Sequence, residues 1–236
     1  MSLVPRSVRE AIHPVHSAGW PFIAATIVLA IALGILWQPL FWILLVVAGW
    51  MLVFFRDPTR VSPIAPGLVI SPADGRVEPP VAVVPPLELG LGPEPRQRIS
   101  VFMDIFDCHI NRAPVAARIT RVAYKPGKFV SADLDKASED NERNGFVMET
   151  PEGHTLGVVQ VAGLVARRIL VWKREGAAVA QGERIGMIRF GSRLDVYLPS
   201  GSTVLVAAGQ RAIAGETVLA HLPGAAPLPP YPTRVD

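Results

Sequence analysis

The stretch IRFGSRLDVYLP, Ile188 to Pro199, decides how most of this chain is read. Leu194, Val196 and Leu198 alternate with Arg193, Asp195 and Tyr197, the period of two expected of a half-buried β-strand. At its head stands Gly191-Ser192, where a glycine ordinarily marks a bulge or a turn.

The same grammar extends outward from this strand. RISVFMDI, ARITRVAY, GFVMET, LGVVQVAG, RRILVW, RIGMIRF and STVLVAAG are short apolar or alternating runs, set off by Gly, Pro, Asn and Asp. Such spacing predicts a mainly β protein, a β-sandwich or barrel-like domain over residues 57–222. EGAAVAQGERI (175–185) matches AGQRAIAGETV (208–218), with Gly176, Gly182, Glu183 and Ile185 paired to Gly209, Gly215, Glu216 and Val218. This internal repeat resembles the two halves of a lipoyl or biotinyl carrier domain, but neither turn holds the lysine that such a carrier modifies. The Pro-rich segment VEPPVAVVPPLELGLGPEPRQ reads as a surface loop. Residues 131–144 read as a polar loop with a short helical turn, and residues 223–236 as a flexible tail.

Toward the N-terminus the composition changes. From Ser17 to Phe55 there is no Asp, Glu, Lys or Arg. Two apolar runs flank Gln38-Pro39, each near the length of about 17 to 25 residues that crosses a bilayer as a helix. Proline pushes its predecessor out of helical geometry, so a break is expected at Gln38. A signal peptide would need a shorter apolar core and a small-residue cleavage site. Residues 1–56 are therefore expected to form a tail and a transmembrane helical hairpin. Arg6 and Arg9 before it and Arg56 and Arg60 after it put both ends on the cytoplasmic side of the cell's inner membrane.

The single cysteine, Cys108, leaves no internal disulfide and no multi-cysteine zinc site, and the five histidines lack metal-ligand spacing. The net charge of +3, carried by 19 Arg and 4 Lys, suits anionic lipid head groups. No aromatic-studded basic motif points to nucleic acid.

Three polar clusters carry the possible chemistry. SPADGRV sets Asp74 among turn-forming residues. FMDIFDCHINRAPV crowds Asp104, Asp107, His109, Asn111 and Arg112 against an apolar strand, with Asp107, His109 and Asn111 on one face if the strand continues. Polar groups so placed are costly without a task. The third is Gly191-Ser192. On these residues alone, a membrane-tethered β adaptor and a lipid-directed serine hydrolase using Ser192, His109 and Asp74 both stay open.

Taken in order, FFRDPTR, SPADGRV, FDCHINRAPV, KASEDNERN, QVAGLVARRI, GERIGMIRFGSRLDVYLP and AGETVLA resemble the phosphatidylserine decarboxylase proenzymes, in particular their short bacterial form. The resemblance spans residues 54–220. It implies self-cleavage between Gly191 and Ser192, with Ser192 becoming a covalent pyruvoyl cofactor. That group decarboxylates phosphatidylserine to phosphatidylethanolamine through a Schiff base, and a chain of residues 1–191 stays with a chain of residues 192–236. It implies an orienting role for Asp74 and proton transfer by His109. Longer family members have a second histidine as the self-cleavage base where this chain has Arg112, so His109 either serves both steps or is joined by His154 or Asp107. Arg112, Arg167 and Arg168 are candidates for the lipid phosphate or the substrate carboxylate. Gly201-Ser202 is a second Gly-Ser pair, disfavoured because the alternating strand follows Ser192. A homo-oligomer is compatible with all of this.

Overall fold

The computed structural model describes residues 13–127, 141–163, 168–189 and 192–224. The expected loop and helical turn at 131–144 fall outside these up to residue 140, as does the tail from residue 225. The chain divides into two compact units, Met1–Thr59 and Arg60–Asp236.

The first unit holds helices α1 (Trp20–Leu36) and α2 (Gln38–Phe54), the former led in by a short 3-10 turn at Ser17–Gly19. Phe22 stacks on Phe55 with ring centroids 5.8 Å apart, and Thr26 Oγ1, which donates to Phe22 O at 2.8 Å, lies 3.5 Å from Met51 Sδ. The interruption falls at Trp37 (φ −154°, ψ 102°), one residue before the expected break. Gln38 and Pro39 instead begin α2, because the first turn of a helix has no use for the N–H that proline lacks. Ser17–Leu36 is long and apolar enough to cross a membrane, whereas Gln38–Phe54 is shorter.

The second unit is mainly β, as the run spacing predicts. In chain order its described strands are β1 (Leu68–Ile70), β2 (Gly75–Val77), β3 (Val81–Val83), β4 (Arg96–Met103), β5 (Ile110–Arg112), β6 (Ala117–Lys125), β7 (Arg143–Glu149) and β8 (Thr155–Ala162). They continue as β9 (Arg168–Val171), β10 (Ala178–Val179), β11 (Arg184–Arg189), β12 (Ser192–Tyr197), β13 (Thr203–Val204), β14 (Arg211–Ala212) and β15 (Val218–His221). The run STVLVAAG thus shrinks to the two residues of β13, and Arg143 and Asn144 belong to a strand rather than a loop. The largest sheet has the order β10-β6-β7-β8-β12-β4-β2-β14, with β3 also on β4; β5-β11-β9 and β1-β15-β13 form two smaller ones. β12 lies between β4 and β8 and runs antiparallel to both.

β12 departs from its expected half-burial, since all six of its residues are buried. Leu194 and Val196 join Ile99, Val101, Val158, Phe146 and Met148 in the main core. On the opposite face Tyr197 packs with Val147, Val159, Val161 and Leu89, and with Val83 and Leu91 at the edge. The cover is the Pro-rich segment expected to pass over the surface, with a 3-10 turn at Leu87–Leu89. A Cβ on Gly145 would lie 2.4 Å from Leu89 Cδ2, so any larger residue on β7 would push the tip of this leucine aside. An ion pair between Glu88 and Arg143 fastens the cover. Burial alone would raise the Glu88 carboxyl, but the hydrogen bond and charge of Arg143 hold it below its ordinary range. The contribution is therefore complete above the ordinary carboxylate range and is lost as pH falls through the lowered value. Leu89→Ala should cost about 2–5 kcal/mol, because a buried leucine leaves a cavity that the sheet beneath cannot fill. A denaturation midpoint unchanged within about 0.5 kcal/mol would show the cover to be dispensable.

Candidate active site

Four strand ends meet at Ser192. β4 arrives at Met103, the chain turns at Asp104–Asp107, and β5 leaves from Ile110. β11 pairs with β5, Met187 opposite Ile110, and Ile188 N donates to His109 O at 3.3 Å. β11 ends at Arg189, and β12 begins at Ser192 directly opposite Met103 on one side and Ala162 on the other. Gly191 lies outside the described residues.

The strand expected to carry Asp107, His109 and Asn111 on one face is shorter than that. Asp107 N donates to Asp104 O at 2.9 Å, Asp104 N to Asp107 Oδ2 at 2.8 Å, and Phe106 N to Asp104 Oδ1 at 3.1 Å. Both acids thus serve the backbone of a turn, the ordinary use of aspartate where a chain reverses. The other Asp107 oxygen accepts from Arg211. This occupies Asp107 as a carboxylate and fixes its peptide, whose carbonyl lies 3.0 Å from His109 Nδ1. A carbonyl only accepts, so Nδ1 carries a proton, and in the neutral ring Nε2 is then the nitrogen with the lone pair. His109 and Ser192 are both fully buried.

Asp74 reaches the same end of β4 from the other flank. β2 pairs with β4, Arg76 opposite Phe102. Gly75 adopts φ +153°, and a Cβ there would fall 2.0 Å from Phe102 O. Only glycine permits so close an approach. With β4 between them, the β2 and β12 backbones are about 10 Å apart, two strand spacings. The Asp74 carboxylate accepts from Arg60 Nη2 at 2.6 and 2.9 Å and from Ala214 N at 2.7 Å. It is built into a charged corner rather than a plain self-capped turn.

His154 sits in the turn between β7 and β8, where Thr150 N donates to His154 O at 2.9 Å. Ala162, the partner of Ser192, is at the other end of β8, about 26 Å away for eight residues at about 3.3 Å each. His154 is therefore not at the corner. Ser202 is in a turn and donates its hydroxyl to Pro199 O at 2.7 Å, so the second Gly-Ser pair is occupied elsewhere.

The candidate anion-binding arginines separate. Arg112 is buried and donates from Nη1 to Gly182 O at 2.9 Å, and its backbone N donates to Pro72 O. Arg168 opens β9 directly opposite Arg189 of β11. Burial and the Arg168 charge lower the Arg189 guanidinium from its ordinary value. Arg167 lies outside the described residues.

Met103, Asn144 and Gln160 join this corner without having been singled out. Ser192 Oγ lies 3.8 Å from Met103 Sδ, and Asn111 Nδ2 lies 3.7 Å from the same sulfur. The available signal was Gln160, one polar residue inside the apolar run LGVVQVAG, which is costly unless partnered.

A buried serine hydroxyl, a buried imidazole with its lone pair preserved, and a fixed amide at the junction of two strands can support attack on a neighbouring carbonyl. Residues 47–220 match the family model described as phosphatidylserine decarboxylase. The chain is also 56% identical over 215 residues to the phosphatidylserine decarboxylase proenzyme of Nitrobacter winogradskyi, covering 91% of this chain and 87% of that protein.

Proposed function

The chain belongs to the phosphatidylserine decarboxylase family, a family of carboxy-lyases, and on that premise we propose that it cleaves itself between Gly191 and Ser192 and then decarboxylates phosphatidylserine to phosphatidylethanolamine. The observation that carries this reading is Ser192 itself. It is fully buried where the ends of β4, β5, β11 and β12 converge, on a core face that is otherwise largely apolar. In the proposed step the hydroxyl gives its proton to His109 Nε2 and displaces the Gly191 amide to form an ester. Loss of the Ser192 Cα proton then expels residues 1–191 as a carboxylate and leaves dehydroalanine. Hydrolysis of that residue gives ammonia and a pyruvoyl group.

The residues present fit that group, because Asn111 and His109 supply polar contacts beside the head of β12. The pyruvoyl ketone supplies Schiff-base chemistry, an electron sink that ordinary side chains lack. The protein's own part is to keep this corner dry and to position the substrate. Arg168 and Arg189, like charges facing one another across two strands, disfavour each other unless an anion lies between them, which suits a phosphodiester. Arg112, buried on Gly182 O, is better suited to holding the fold.

Paired bonds support the carrier-like, pseudo-symmetric reading of the repeat. Gly176 N donates to Ile119 O and Ile119 N to Ala177 O; correspondingly, Gly209 N donates to Val77 O and Val77 N to Gln210 O. Ile70 N to Pro114 O and Arg112 N to Pro72 O, both 2.9 Å, are exchanged between the two halves in the same way. The apolar helices support membrane attachment, because Val28, Ile35, Leu36 and Val46 are exposed where a water-facing helix would carry polar residues. We place this anchor in the inner membrane with the β unit on the cytoplasmic side, consistent with the arginines around it. A diacyl substrate leaves a bilayer only at about 0.8 kcal/mol per methylene, so the enzyme must work beside one.

Intact mass under denaturing conditions tests the proposal. The wild-type chain should separate into two pieces breaking after Gly191, the shorter with a blocked N-terminus, and Ser192→Ala should remain whole. A folded wild-type chain in lipid that stays intact would sink it.

A further inference from the structure

Behind Ser192 runs a file of buried amides, of which the chemistry above uses only Asn111. Asn144 Nδ2 donates to Gln160 Oε1 at 3.1 Å, and Gln160 Nε2 donates to Asn111 Oδ1 at 2.8 Å. Asn111 Nδ2 then reaches Met103 Sδ at 3.7 Å, the sulfur that the Ser192 hydroxyl reaches at 3.8 Å. All three amides and Ser192 are fully buried. They come from three strands: β7 and β8 place Asn144 opposite Gln160, while β5 brings Asn111 in from the smaller sheet. Gly186 leaves the passage open, since a Cβ there would stand 2.8 Å from Gln160 Nε2.

The file has a direction. With Gln160 held so that its acceptor takes Asn144 Nδ2 and its donor goes to Asn111 Oδ1, turning the Asn111 amide over alone would set two donors against each other. Asn144 Oδ1, at the far end of the file, is buried without a hydrogen-bond partner among the described residues. Asn111 is left presenting N–H toward a thioether, one of the weakest acceptors a protein contains. A donor pinned in place, holding a poor partner next to a nucleophile, is preorganised for an oxygen that gains charge only during reaction.

We propose that Asn111 Nδ2 is the side-chain donor that stabilises the oxyanion of self-cleavage, with Gln160 and Asn144 as its positioning residues. This rests on the reading of Ser192 as the self-cleaving serine. As Ser192 Oγ bonds to the Gly191 carbonyl carbon, its proton passes to His109 and the carbonyl π pair moves onto oxygen. The Asn111 N–H leaves the Met103 sulfur for that oxygen. Collapse restores the carbonyl and breaks the bond to Ser192 N, which takes the proton from His109, leaving the ester.

The test follows chain cleavage in the full-length protein synthesised into phosphatidylcholine nanodiscs, with and without hydroxylamine, which splits the ester. Asn111→Asp keeps the shape and the acceptor for Gln160 but puts a carboxylate oxygen where the donor stood. Cleavage should slow by about a hundredfold or more, and hydroxylamine should release nothing extra, because the ester is not reached. Gln160→Glu offers acceptors on both sides, which turns Asn111 over, and should slow cleavage by about tenfold while leaving protease resistance equal to that of Ser192→Ala. An Asn111→Asp chain that resists protease like Ser192→Ala yet is cut within about threefold of wild type overturns the proposal. If that variant does not fold, Gln160→Glu decides, and cleavage at the wild-type rate overturns it. A wild-type chain that is never cut defeats the underlying reading of Ser192 instead.

Discussion

Replacing His109 by Gln leaves the chain in one piece for a hundred to ten thousand times longer than wild type, the range (about 10²–10⁴) over which a positioned base acts. Glutamine keeps a similar volume and a donor for the Asp107 carbonyl, so what it removes is the lone pair of Nε2. The geometry leaves few substitutes. Asp107 has one carboxylate oxygen on Asp104 N and the other on Arg211, and His154 is at the far end of β8. Arg112, where longer relatives place a second histidine, has its guanidinium on Gly182 O and stays charged at any working pH. Pulse-labelled full-length chain followed on denaturing gels measures the rate. Cleavage of His109→Gln within about threefold of wild type would move the base elsewhere and leave His109 as a buried structural residue. The same gel read on Arg211→Ala, which takes the ion pair from the Asp107 carboxylate and leaves the His109 ring itself unaltered, reports how far the Asp107 peptide fixes that ring.

Much of this was legible from alternation. The strand pattern of β4, β6, β8 and β12 reads directly off the chain, because a period of two needs only the buried face to be apolar. The second buried face of β12 does not read, because its cover lies about a hundred residues earlier and belongs to a segment whose prolines look like loop. Pro85 and Pro86 do interrupt strand pairing, but Leu89 still finds a glycine-lined hollow on β7 and β8. Arg193, Asp195 and Tyr197 look solvent-facing for the same reason. At the site, the residue types of SPADG, FDCHINR and FGS were legible, whereas their contacts were not. Asp107 is diverted into a turn by bonds to Asp104, and Asn111 is aimed by Gln160, a residue 49 positions away in sequence. Side-chain direction of that kind is set by the pairing of whole strands, which no local pattern encodes.

Asp195→Asn should cost about 3–5 kcal/mol, the largest stability loss expected of any single change in β12. Arg193 and Asp195 are each 1% exposed, two residues apart on one face of the strand, and joined by Nε to Oδ1 at 2.8 Å and Nη2 to Oδ2 at 3.1 Å. Burial works against the Arg193 charge, but Asp195 outweighs it and raises the guanidinium above its ordinary value. Burial and the same carboxylate push the Tyr197 hydroxyl up to about 12, so it remains neutral beside them. Neutralising Asp195 removes the carboxylate that meets the buried guanidinium at both Nε and Nη2, and leaves the charge of Glu78 to act on it. Measured on a Ser192→Ala background, where the chain stays whole, the loss appears as a lower denaturant midpoint. Arg193→Met with Asp195→Leu should recover most of it, because two apolar side chains need no pairing at all. In the processed protein the consequence is larger. Once the bond before Ser192 is cut, the 192–236 chain is held by the β12 ladder and its two buried faces and by the pairing of β14 with β2 and of β15 with β1, so with Asp195→Asn it should separate from the 1–191 chain in milder denaturant than wild type needs. If the two chains stay together and the midpoint moves by less than about 1 kcal/mol, the ion pair is incidental, and the apolar contacts of Leu194, Val196 and Tyr197 are enough to hold the cut strand.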